Sequence, residues 1–105
     1  MSLDISLRAT ITIFELNITH NLGDMADAAG IYMHLWRPDE IGITTAGQLC
    51  APLRAGLDEL RANPDKYRAY NPANGWGTYE GFVESVARYL AACERNPDAT
   101  IEVSR

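Results

Sequence analysis

The sequence predicts an α+β domain: a small antiparallel sheet, built from an N-terminal strand or hairpin plus a short C-terminal strand, covered on one face by three to four helices. Three observations point there. Asp4 to Ile18 is dense in β-branched residues and free of Gly and Pro. The middle of the chain repeats its apolar residues every three or four positions. After Asn96-Pro97-Asp98 the pattern returns to alternation in Ala99 to Ser104. The order β-α-α-(α)-α-β folds as helices packed on one side of a sheet.

Within the first stretch, Ile5, Leu7, Ala9, Ile11 and Ile13 share one face, and Ser6, Arg8, Thr10 and Thr12 share the other. Beyond Ile13 the parity changes, because Phe14, Leu16 and Ile18 now carry the apolar side. A bulge or bend near Phe14 and Glu15 restores one buried face, and a turn into a separate short strand does so equally well. Two strands alone are marginal in water. The sheet is therefore expected to be completed by a hairpin within this stretch or by a second subunit, giving a homodimer through the edge of the first strand.

Thr19-His20-Asn21 closes the strand and opens a helix, with Thr19 or Asn21 as N-cap and Asp24 near the positive helix end. The helix is expected to run to about Leu35, with Leu22, Met25, Ala29, Tyr32 or Met33, and Trp36 as its core stripe. Arg37-Pro38 ends it. Thr44 or Thr45 caps the next helix, which extends to about Ala62 and buries Leu49, Leu53, Leu57 and Leu60. Pro52 should kink this helix or mark the first turn of a new segment. Asp58 and Arg61 are spaced as a surface ion pair. Asp65 to Tyr70 forms a short helical turn, and Asn71-Pro72 stops it. Thr78 caps the last helix, Tyr79 to Arg95, whose Phe82, Val83, Val86, Leu90 and Cys93 line one face.

At 105 residues the chain is expected to be one domain, 1–105. Its formal net charge of −5 argues against non-specific nucleic-acid binding, which needs clustered Lys and Arg to neutralise phosphates. An acidic mimic of nucleic acid stays open. The carboxylates are, however, interleaved with Arg61, Lys66, Arg88 and Arg95 in the manner of solvated helix faces. No apolar run approaches the roughly 18 residues that span a bilayer, and the start lacks a basic segment followed by an apolar one. A cytoplasmic protein with no membrane partner is expected. Cys50 and Cys93, each inside an apolar helical pattern, read as two buried thiols.

Candidate chemistry gathers at element junctions. His20 lies between a cap threonine and an asparagine, where an imidazole serves as acid, base or ligand-binding donor, or simply bonds the neighbouring loop and holds the junction. Trp36 and Arg37 could stack on and pair with a ligand, while Trp76 and Tyr79 could supply an aromatic wall. Alternatively, both indoles pack the last helix against the first, with Arg37 paired to Glu40 or Glu80. Asn74, with Gly75 and Gly77 around Trp76, makes a stiff turn that presents the ring, and Glu80 completes a set of His, Arg, Asn and Glu suited to a small polar substrate. Two histidines without paired carboxylates fall short of a metal site, and no phosphate loop, nucleophile elbow or dinucleotide fingerprint occurs, so no cofactor is expected.

The words Thr19-His20-Asn21-Leu22, Leu35-Trp36-Arg37-Pro38 and Asn71-Pro-Ala-Asn-Gly-Trp-Gly-Thr-Tyr-Glu-Gly, with the closing Ala-Thr-Ile-Glu-Val-Ser-Arg, resemble a family of short hypothetical proteins carried by phages, prophages and bacterial genomes. The resemblance covers about Asn17 to Arg105. It implies one cytoplasmic domain in a phage-linked context and brings no catalytic residue with it.

The function expected from these features is non-enzymatic binding, of a small nucleotide-like metabolite or of a host protein. The face that would do it is made by Thr19, His20, Asn21, Trp36, Arg37, Asn74, Trp76, Tyr79 and Glu80. The alternative is a compact enzyme with His20 as general base, oriented by Glu80 or Asn21.

Overall fold

The computed structural model describes residues 1–105 as an α+β fold with a three-stranded antiparallel sheet and five helices. Strands β1 (Ser2–Arg8) and β2 (Thr12–Thr19) form a hairpin, and β3 (Thr100–Ser104) pairs with the other side of β1, giving the order β2-β1-β3. Between β2 and β3 run α1 (Gly23–Ala28), α2 (Tyr32–Trp36), α3 (Cys50–Ala62), α4 (Pro64–Arg68) and α5 (Tyr79–Arg95). No helix is long and apolar enough to cross a membrane.

The first stretch is a hairpin, and this corrects the single alternating face read through Ile13. The chain reverses at Ala9–Ile11, and the register slips by one residue where Leu7 faces Phe14 and Arg8 faces Thr12. Ile11 and Ile13 therefore leave the core and are 70% and 40% exposed. Leu3, Ile5 and Leu7 from β1, with Leu16 and Ile18 from β2, supply the buried face. Each such aliphatic side chain contributes about 1.5–3 kcal/mol by leaving water. The opposite face carries Asp4, Ser6, Glu15, Asn17, Glu102 and Ser104, and it is uncovered. The hairpin also puts β1 in the centre, so the edge expected to pair with a second subunit is occupied within the chain, and the free edges belong to β2 and β3.

The first helix is shorter than its periodicity suggests. It breaks after Ala29 because Gly30 takes a left-handed φ of 80°, a conformation that a continuing helix excludes. Restarting the chain there sends Ile31 and Leu35 into the core beside Leu22, Met25 and Trp36, while Ala29, Tyr32 and Met33 are only partly buried.

In α3, Leu49, Leu53, Leu57 and Leu60 are all buried as the spacing predicts. Pro52 sits in the first turn, just after a 3-10 turn at Ala46–Leu49 capped by Thr45 and Gln48, so its missing N–H removes no helix bond. Asp58 and Arg61 do not pair. Longer reaches form instead: Arg54 to Glu94 of α5 at 3.3 Å, and Lys66 to Glu59 at 3.5 Å. Helix α5 has the bounds its pattern gives, and Thr78 Oγ1 accepts from the Gly81 N–H at 3.0 Å. Cys93 is buried, and Cys50 is only half-buried.

Two outcomes test this packing. At Gly56 a methyl group would run into Ile31 Cγ2 and lie 3.2 Å from Cδ1. Gly56→Ala, which would gain about 1 kcal/mol on an open helix face, is expected instead to destabilise by about 1–3 kcal/mol through overpacking; a denaturant midpoint decides the sign. Burial pushes the Cys93 thiol up from its ordinary value of 9.0 to about 12. Since the unfolded chain gives up that proton first, the contribution is complete below about pH 9 and is lost as pH rises through about 12. Timed alkylation of native protein at mildly alkaline pH should accordingly modify Cys50 well before Cys93.

Candidate functional site

The end of β2 and the loop before α5 build one region together. Thr19 keeps extended backbone while its Oγ1 accepts from the Asn21 N–H at 3.4 Å and from Asn21 Nδ2 at 3.2 Å. This turns the chain sharply into the 3-10 turn His20–Leu22, whose Leu22 is buried, whose His20 is half-buried and whose Asn21 is exposed. The His20 N–H donates to the Met1 carbonyl at 3.2 Å, extending the ladder by one step.

The loop Asn71 to Thr78 is held at several points. Asn71 Oδ1 accepts from the Tyr79 N–H at 2.8 Å, Asn74 Oδ1 accepts from the Trp76 N–H at 2.9 Å, and the Gly75 N–H donates to the Pro72 carbonyl at 3.2 Å. Gly77, at a φ of 103°, presses against the end of β2: a Cβ there would lie 2.9 Å from both Thr19 Cγ2 and Leu22 Cγ. Both conformation and space demand glycine. Trp76 is left 70% exposed on this stiff turn.

Two adjoining hollows result, and Asn21 and Asn74 line both of them. The first, about 630 Å³, lies between His20, Asn21 and Asp24 on one side and Ala69 to Asn74 on the other. The second, about 490 Å³, is walled by Thr19, Asn17, Ser2, Met1 and Trp76. Asp24 is the one charged side chain lining either of them, and no Lys or Arg does so. No guanidinium or lysine ammonium is there to pair with a phosphate, whereas neutral or positively charged groups suit the lining beside Asp24.

Thr19, His20, Asn21, Asn74 and Trp76 thus come together, and the other four candidates line neither hollow. Trp36 is buried, stacked on Tyr32 at 5.2 Å, and meets the His20 ring edge-on at 6.1 Å, forming the wall behind the imidazole. His20 Nε2 is sealed against that wall without a hydrogen-bond partner. Arg37 is taken by Glu40 at 2.7 Å, one of the two partners expected for it. Tyr79 is buried, its Oη donating to the Leu60 carbonyl at 2.6 Å. Glu80 accepts from Arg68 Nε at 2.8 Å, and this guanidinium holds its carboxyl below the usual carboxylate range. The indoles do not pack the last helix on the first: one is core beside Tyr32, and the other is exposed.

Asp24, Tyr70, Asn71, Asn17 and Ser2 also line the hollows. Asn71 opens the same sequence word as Trp76, which was a usable signal. Asp24 looked like a helix-end charge, and no pattern singled out Asn17 or Ser2, so only the fold shows them here. No group of three or more His, Cys, Asp and Glu is placed to hold a metal ion.

Gly77→Ala should destabilise the chain by about 2–3 kcal/mol, from the left-handed conformation and the lost approach to Thr19 and Leu22 together. Thermal unfolding would register it, and Trp76 emission should change as the loop detaches. Nothing outside the chain adds to this geometry: no protein-family model, curated protein or solved structure matches it.

Proposed function

We propose that the chain is a cytoplasmic, non-enzymatic binding protein for a small polar ring-bearing metabolite of the nucleobase or nucleoside kind. The observation that carries this reading is an indole exposed on a rigid loop beside two asparagines shared by adjoining hollows. A planar ring stacking on Trp76 would gain about 1–3 kcal/mol. The amides of Asn21 and Asn74 offer donors and acceptors at its edge, and polar groups converging beside an apolar surface are what a small-molecule site requires. Phosphorylated ligands are disfavoured because Arg37 is engaged elsewhere and Asp24 lies in the lining. The words that resemble phage proteins supply most of this face, and a phage-linked role belongs to the same proposal.

The enzyme alternative has less support. Glu80, assigned there to orient His20, is bound to Arg68, and Asn21 donates to Thr19. A host-protein partner would have to use Met1, Tyr70 and Trp76, exposed around the hollows but separated by Asn and Ser.

Native mass spectrometry of protein taken from cells should show a retained small molecule, and nucleosides should quench Trp76 emission. Trp76→Ala should weaken binding about tenfold or more, with little effect on the melting temperature because the side chain is 70% exposed. Bare chain from cells, together with no response to bases or nucleosides, would overturn the reading.

A further inference from the structure

We infer that the free edge of β2 is an interface with a second copy of this chain, paired antiparallel about a twofold axis at Leu16. The hydrogen bond from the His20 N–H to the Met1 carbonyl fixes the phase of the β1–β2 ladder. Alternation then turns the backbone groups of Phe14, Leu16 and Ile18 toward β1 and those of Glu15, Asn17 and Thr19 away from it. The Thr19 carbonyl closes the first turn of His20–Leu22, while the Thr19 N–H and the backbone groups of Glu15 and Asn17 lie outside the β1–β2 ladder. The edge carries no proline, lysine or glycine from Thr12 to Thr19, and its one irregularity is the register slip at its first residues. The usual devices that blunt an edge are thus largely absent.

The other edge differs. The Ile101 N–H donates to the Thr44 carbonyl at 2.9 Å, Thr45 bridges Thr100, and Arg105 ties the strand end to the Trp36 carbonyl at 2.9 Å.

The strand is its own complement. A twofold pairing must oppose outward-facing residues to one another, and only two such registers overlap nearly all of β2. One sets Glu15 against Glu15 of the copy, placing like charges directly opposite. The other, centred on Leu16, sets Glu15 against the neutral Asn17 of the second copy and Ile13 against its Thr19. Ile13 is 40% exposed, and Thr19 lies in the hollow that presents Trp76, itself 70% exposed. This register therefore brings the apolar side chain at one end of each edge onto the exposed indole side of the other copy, where it forms the outer wall of the Trp76 hollow. The two sheets join into one, and apolar groups now in water are covered.

Sedimentation equilibrium from micromolar to millimolar concentration should show the mass rising from 11.6 kDa toward twice that value. Over the same range the amides of Glu15, Asn17 and Thr19 should gain protection from hydrogen exchange, while those of Phe14, Leu16 and Ile18 are protected throughout. Trp76 emission should shift to the blue. Glu15→Pro removes an outward N–H that β1 does not use, a position where an edge strand tolerates proline. It acts twice across the axis and should weaken association about tenfold or more. If that variant loses its fold, Ile13→Glu at the exposed position provides the same comparison. A single-chain mass at every concentration, or a dimer whose new protection lies away from these three amides, would overturn the inference.

Discussion

The pairing of β1 on both its sides constrains everything else in this molecule. Its backbone is consumed by β2 and β3, and its Leu3, Ile5 and Leu7 sit on one face of the sheet. All helices must then gather on that face, since it alone offers apolar surface to cover. The other face stays polar, and the edges fall to the outer strands. One of these is partly covered by the segment around Thr44 and Thr45. The other carries no such covering segment at Glu15 and Asn17 and is met by the Gly77 loop at its Thr19 end.

The candidate site inherits its geometry from that arrangement. The loop before α5 meets the end of β2 because Gly77 has no side chain to hold it off, and Tyr79 anchors the following helix through its bond to Leu60. Rigidity of this kind matters for recognition, because the turn that presents the indole is already ordered before a ring stacks on it. The electrostatics follow from local partners. Arg37 finds Glu40 one turn on, and Glu80 finds Arg68 across the α4–α5 junction, so neither charge remains for the hollows. What remains is amide, hydroxyl, imidazole, indole and a single carboxylate.

The polar-aromatic words were legible as words. Thr19, His20, Asn21, Asn74 and Trp76 meet because two of those words sit on segments that the sheet and Gly77 bring into contact. Trp36 and Tyr79 looked equally suited to a ligand, and both are spent on packing. An aromatic residue with a polar tip serves a core and a site with the same chemistry, and composition does not distinguish the two.

By itself the sequence determined what local physics controls. The α+β class, the leucine stripe of α3, the cap at Thr78 and the whole of α5 follow from periodicity and capping, which act within a few residues. Tertiary structure alone decided the reversal at Ala9–Ile11, the break at Gly30 and the central place of β1. It also decided which side chains share a hollow. Alternation records that one side of a segment is buried, but not against which neighbour, and a turn or a continued strand satisfies the same pattern until distant strands and helices compete for the apolar face.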